Sequence, residues 1–516
     1  MYNKTAKLFP KRKCKNRVDL PLCDIIGRHR TPRRSGTRAD LVPTPASRVS
    51  GSGRRVSGKI PEGRGGWQAD GKGPSIWDTF CHEKGNVFGD QTGDVACNSY
   101  ELWEKDLECI QQLGLTHYRL SVSWARLLPD GMTQHVNQRG VQYYNRVIND
   151  LLACNVSPMV TLYHFDLPQA LHDLGGWKSP EIATLFDNYA KFCFQTFGDR
   201  VKFWITINEP HICAKLGYED GIHAPGLKEK GTTAYLVGHN MLRAHAKAWH
   251  SYNSEYRAKQ KGAVSLAFNS DWFEPLDPSC SADITATERE FAFTLGWFAW
   301  PVFVTGDYPE TMRFAINSQS QKLGFDGTSR LPTFSDDDPF ILGTADFFAL
   351  NYYTARKVKA GGGVDQTLSM KSDLDAKEVL DPSWPICGAP WLAVVPHGLR
   401  KLLRYIKDTF HNPMVYITEN GFSQMGPVQI EDWERWEFYS STISEVAKAI
   451  QEDGVNVRGY FAWSLMDNFE WADGFSVRFG LFHVDPSDAE LSRTMYRSGR
   501  EYARIISKYK TSGQAK

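Results

Sequence analysis

Hydrophobic and polar positions change texture at Gly73, where apolar runs that close in polar or aromatic residues begin to alternate with segments of helical spacing. The strand-like runs are 113–124 (LGLTHYRLSVSW), 156–166, 200–210, 261–276, 345–356, 413–422 and 457–471. Between them lie amphipathic stretches such as 141–152, where Val141, Tyr144, Ile148, Leu151 and Leu152 recur on one helical face. Strand and helix units that repeat without a second break in composition predict one parallel α/β architecture rather than a string of domains. Parallel strands place their chemistry beyond their carboxyl ends, and in a (β/α)8 barrel those ends meet at one mouth. The polar residues here obey that rule: Arg119, His164 to Asp166, Asn208 and Glu209, Asn351 to Tyr353, Thr418 to Gly421, and Trp463 through Trp471 each follow or end an apolar run.

Composition divides the chain in two. The formal net charge over 516 residues is only +1, but residues 1–66 hold 17 Lys and Arg against 4 Asp and Glu. That segment carries +13 and the remainder −12. Residues 1–64, with Tyr2 and Phe9 as their only aromatics, have the composition of a basic, disordered leader. Residues 65–510 read as one large domain and 511–516 as a tail. The absence of any run of 18 apolar residues argues against a membrane span. Ten scattered cysteines without a CxxC pair fit reduced thiols in the cytoplasm.

No GxGxxG opens a helix and no P-loop signature occurs, which demotes nucleotide chemistry. Two carboxylates stand out instead. Glu209 ends the apolar run Phe203-Trp-Ile-Thr-Ile-Asn, and Glu419 ends Val415-Tyr-Ile-Thr. A carboxylate at the end of a buried strand suffers desolvation, which raises the pKa of a general acid unless a partner offsets it. Two glutamates facing each other across a barrel mouth suit glycosidic bond cleavage, one as acid/base and one as nucleophile. Position alone also allows a plain salt bridge from each to a nearby Arg or Lys.

The segments Thr206-Ile207-Asn208-Glu209-Pro210 and Ile417-Thr418-Glu419-Asn420-Gly421 resemble the acid/base and nucleophile motifs of glycoside hydrolase family 1. Asp70 to Pro74, Tyr163 to Pro168, Trp463 to Trp471 and Arg478 to Leu481 match the same family in order and spacing. Its cytosolic β-glucosidase branch is the most similar, with lactase-like and klotho-like branches near. The resemblance implies a TIM (β/α)8 barrel and a retaining β-glycosidase that acts on β-D-glucosides and β-D-galactosides with hydrophobic aglycones, using no cofactor or metal. It implies a small-molecule glycoside as partner, without nucleic acid or membrane. Glu209 becomes the acid/base and Glu419 the nucleophile, supported by Arg119, Asn351 and Tyr353. Asn208 would bind the sugar 2-OH, His164, Glu470 and Trp471 the other hydroxyls, and Trp463 the ring face. Trp391 would be the aglycone platform, with Trp384 its rival seven residues earlier, and Phe479 would line the same pocket.

One family feature has no counterpart. The barrel has eight strands, seven are legible, and the family's aromatic-rich first strand with its sugar-gripping glutamine is replaced by Arg54-Arg-Val-Ser-Gly-Lys-Ile-Pro-Glu-Gly. A missing strand exposes two strand edges, so the sequence predicts lowered stability and impaired activity. Two functional classes follow: a hydrolase, favoured by the presence of both glutamates, and an inactive glycosidase-like protein that binds sugar or protein, favoured by the missing strand.

Overall fold

The computed structural model describes residues 66–325, 329–362 and 367–512. The leader and residues 513–516 of the tail lie outside these residues, while 511 and 512 belong to the helix Arg497–Ser512. Seven parallel strands form the main sheet: β1 (His117–Ser121), β2 (Ser157–Tyr163), β3 (Phe203–Asn208), β4 (Ala263–Asn269), β6 (Phe348–Asn351), β9 (Val415–Glu419) and β11 (Val457–Tyr460), in the order β1-β2-β3-β4-β6-β9-β11. Each of the seven expected runs contributes one strand, and the expected helix at 141–152 is the core of Gln138–Ala153. Helices follow the strands and form the outer layer, as in the (β/α)8 barrel. A helix, Trp103–Leu113, also precedes β1 with no described strand before it.

Burial explains why these sequences are strands. All six residues of β3 are buried, as are all five of β9. Parallel strands covered on both faces require such unbroken apolar runs. Met159, Phe203, Ile205, Ala267, Phe347, Ala349 and Tyr416 fill the barrel interior, while the larger core lies between sheet and helices. β1 differs from its neighbours: four residues are half-buried and Ser121 is exposed.

Three expected strands prove too long: the run 457–471 is strand only over Val457–Tyr460, and two others break into a second sheet. The run 261–276 breaks after Asn269, and the run 345–356 after Asn351. Their continuations become β5 (Trp272–Pro275) and β7 (Ala355–Ala360), which join β8 (Ala376–Val379) in a separate three-stranded sheet. β5 and β7 pair in parallel because each continues a neighbouring barrel strand, whereas β8 returns antiparallel. This small sheet therefore stands beyond the carboxyl ends of β4 and β6, at the mouth.

A fully buried arginine fixes another part of the mouth. On the helix Trp433–Gln451, Arg435 donates to the carbonyls of Phe422 at 3.0 Å, Gly480 at 2.6 Å and Arg478 at 2.8 Å, and it pairs with Asp432 at 2.9 Å. The loop after β9 is thereby tied to β12 (Val477–Arg478), which pairs with β10 (Gln424–Met425). Replacing Arg435 with Leu strands a buried carboxylate and three carbonyls. Denaturant unfolding is expected to show a loss of about 3–5 kcal/mol.

Candidate active site

The candidate residues gather at the carboxyl ends of the strands, linked by one chain of hydrogen bonds. Arg119, from β1, extends its guanidinium across the barrel. Its Nη1 donates to Glu419 Oε1 at 2.5 Å, its Nη2 to Asn208 Oδ1 at 2.6 Å and its Nε to Thr161 Oγ1 at 3.2 Å. Tyr353 donates its hydroxyl to the other Glu419 oxygen at 2.8 Å. Both oxygens of Glu419 thus accept a hydrogen bond, one from a guanidinium and one from a hydroxyl. Burial and the Glu419 charge push the Tyr353 hydroxyl well above its usual range, so it remains a donor.

Glu209 has the opposite surroundings. It sits one residue past β3 with φ of 39°, and its carboxyl is buried. Burial first, then the negative field of Glu419, push its pKa up to about 8. Arg119 weakens this shift only partly, because its guanidinium points at Glu419 and Asn208. At neutral pH the Glu209 carboxyl is therefore held toward its protonated form.

Asn351 departs from expectation. The sequence comparison placed it beside the nucleophile, and its backbone does pair in register with Glu419. Its side chain turns the other way: Nδ2 donates to Glu209 Oε1 at 2.6 Å and reaches Asn208 Oδ1 at 3.2 Å. The cause is Thr418, whose hydroxyl donates to Asn351 Oδ1 at 2.6 Å and so fixes the amide orientation. Sequence reasoning gave no role to Thr161 and placed Thr418 only as one of the polar residues at the strand ends. Each lies on a motif-bearing strand and points its hydroxyl into the barrel, and the period-two alternation of a strand was the available signal.

His164 approaches Asn208 Nδ2 at 3.3 Å through its Nε2 and stacks near Trp463 and Trp471, with ring centroids 6.0 and 5.7 Å away. Burial and the Arg119 charge hold its pKa well below the usual value, so the ring is neutral. Glu470 is pushed up to about 8, chiefly by burial and next by Glu419. These groups, with Trp471, form one polar and aromatic wall beside the carboxylates.

Trp391 stands edge-on to Tyr353 with centroids 6.0 Å apart and is 42% exposed, so its face is available to a ligand. Trp384, the rival, instead lies under the Lys357 ammonium of the small sheet. Arg356 on β7 holds the Trp391 carbonyl at 2.7 Å. Phe479 corrects an expectation. At 2% exposure it packs with Ala389, Leu392 and Val477 behind Tyr353 and Trp463, so it supports the wall and does not line it.

With this geometry in place, the family follows from sequence: the profile of "Glycosyl hydrolase family 1" matches residues 62–511. The chain belongs to that family. It is an O-glycosyl hydrolase of barrel fold. The "Cytosolic beta-glucosidase" of Cavia porcellus is 54% identical over 444 residues, covering 86% of this chain and 94% of that protein. The human "Lactase-like protein" is 44% identical, covering 86% of this chain and 78% of its own length. Among solved structures, "Aphid myrosinase" superposes with a TM-score of 0.82 at 39% identity, covering 86% of this chain and 95% of that one. Among the described residues no helix is long and apolar enough to cross a membrane, and the eight described cysteines are free of disulfides.

The raised pKa of Glu209 links protonation to folding. A folded value near 8 against an ordinary 4.5 contributes stability that is full below about pH 4.5 and is lost as pH rises through about 8. Glu209→Gln removes this slope. Thermal unfolding between pH 5 and 8 is expected to show a smaller fall in Tm for the variant than for the native chain; equal falls would place the proton elsewhere.

Proposed function

We propose that the protein is a retaining β-glycosidase of the cytoplasm that hydrolyses β-D-glucosides and β-D-galactosides with hydrophobic aglycones. The observation that carries this reading is the unequal treatment of the two glutamates. Glu419 is gripped on both oxygens by Arg119 and Tyr353, while Glu209 is buried with its pKa raised. The cytosolic β-glucosidases at 54% identity support the substrate and the compartment.

In the first step Glu419 attacks the anomeric carbon as Glu209 gives its proton to the glycosidic oxygen, so the aglycone leaves as an alcohol and a glycosyl ester forms on Glu419. In the second, Glu209, now ionised, takes a proton from water. The water oxygen attacks the same carbon from the opposite face, the ester breaks, and the sugar leaves in its original configuration. Asn208, held by Arg119, meets the 2-OH, where a hydrogen bond strengthens as the oxocarbenium-like state develops. His164, Glu470 and Trp471 bind the remaining hydroxyls and Trp463 covers the ring. Trp391 offers a flat apolar surface to the leaving aglycone. The chemistry requires no metal or cofactor.

Release of p-nitrophenol from its β-D-glucoside tests the assignment. Glu419→Gln is expected to abolish turnover, and an unchanged rate would sink the nucleophile assignment. Glu209→Gln is expected to slow alkyl glucosides on the order of 10²–10⁴-fold, the contribution of a positioned general acid. Activated aryl glucosides, whose leaving groups need little protonation, should suffer less in the first step. Because Glu209 must carry a proton to start the reaction, kcat/KM should fall as pH rises through about 8. An α-configured sugar as the first product seen by NMR would exclude retention.

A further inference from the structure

One carboxyl group at the mouth is left without a hydrogen bond. Asp271 lies in the short step from β4 to β5, between Asn269 and Trp272. Asn269 stands in register with Asn351, whose amide donates to Glu209, and Ser270 N donates to the Asn351 carbonyl at 3.2 Å. Asp271 therefore leaves the barrel wall beside the acid/base, and its negative field is one of those that raise the Glu209 pKa.

On its other side stands Arg356. The Nη2 of this residue holds the Trp391 carbonyl at 2.7 Å and lies 3.6 Å from Asp271 Oδ2, beyond hydrogen-bond length. The rest of the guanidinium is committed elsewhere: Nη1 donates to Thr354 Oγ1 at 3.2 Å and to the Ala355 carbonyl at 3.0 Å, and Nε faces Glu378 Oε2 at 3.3 Å. Asp271 receives only a distant share of that cation. Among the described residues its carboxyl accepts no hydrogen bond, and burial pushes its pKa up to about 7, with Arg356 opposing and Glu378 adding to the shift.

Buried polar groups are nearly always paired, and leaving one unpaired is costly. A partner from outside the chain can reach this one, because the Asp271 side chain is 26% exposed. The leaving group departs on the side of Glu209, which protonates it, and meets Trp391 further out. A ring lying with its face on Trp391 thus brings an edge past Asp271. A carboxyl that titrates near neutral pH can donate or accept, which suits a hydroxyl, itself both donor and acceptor. The neighbouring Arg356 charge disfavours a cation in the same place.

We propose that Asp271 is a specificity-determining residue for the leaving group, bonding a hydroxyl on the edge of a ring whose face lies on Trp391. The class so selected is a hydroxylated ring, either a phenolic aglycone or a second sugar. The inference rests on the β-glycosidase reading above and narrows its hydrophobic aglycone to one with a polar edge.

Hydrolysis of phenyl β-D-glucoside and of its hydroxyphenyl isomers by the full-length chain, compared as kcat/KM, tests this. The native chain is expected to prefer at least one isomer, and Asp271→Leu to reduce that preference about tenfold, the scale of one hydrogen bond to a carboxylate. Asp271→Asn keeps a donor and an acceptor at the same place and should retain most of the preference. The ratio between two substrates cancels changes in folding or in the acidity of Glu209, which act on both alike. The preference for cellobiose over methyl β-D-glucoside makes the same comparison for a second sugar. A loss in either pair upholds the proposal and tells which ring is read. Ratios that stay the same in all three proteins for both pairs overturn it and leave the glycosidase reading in force. A native chain that cleaves none of these substrates overturns that reading and this inference with it.

Discussion

The site depends on one fork of hydrogen bonds. Arg119 binds Glu419 with one terminal nitrogen and Asn208 with the other, which joins β1, β9 and β3 across the barrel mouth. A planar guanidinium can hold two acceptors only at a fixed separation, so the fork sets the position of both the Glu419 carboxylate and the Asn208 amide. Thr161 secures the third nitrogen from β2. Four strands are thus committed to one side chain, and a change in their relative register would be felt first at the carboxylates.

The difference between the two glutamates arises from what each is denied. Glu419 receives a cation and a hydroxyl, while Glu209 receives one amide from Asn351 and sits close to the charge of Glu419. The same burial acts on both, and only the partners differ. Thr418 governs that difference at one remove, since its hydroxyl decides which way the Asn351 amide faces. The donation of that amide to Glu209 lowers the Glu209 pKa and so moderates the asymmetry that burial and the Glu419 charge create.

The seven strands and both glutamates were legible because parallel strands buried on two faces cannot hide their apolar runs, and because a carboxylate ending such a run is conspicuous. Legibility failed where direction mattered. The runs ending near Pro275 and Arg356 continue the apolar pattern into a second sheet, and periodicity does not mark the break at Asn269 or Asn351. Asn351 was read by its backbone neighbour, whereas its amide is set by a threonine hydroxyl. Phe479 follows β12 at the mouth but is roofed by Tyr353 and Trp463. The choice of Trp391 over Trp384 turned on the path of a loop, which spacing along the chain does not encode.

The small sheet formed by β5, β7 and β8 divides the labour of recognition. The residues proposed to meet the sugar follow the barrel strands, where the core and the Arg119 fork constrain them. Trp391 hangs instead from Arg356 on β7, outside the barrel. Under the proposed function, the half of the substrate that stays and the half that leaves are read by separately supported structures. On that reading, a change in the small sheet would alter the choice of leaving group and spare the carboxylates.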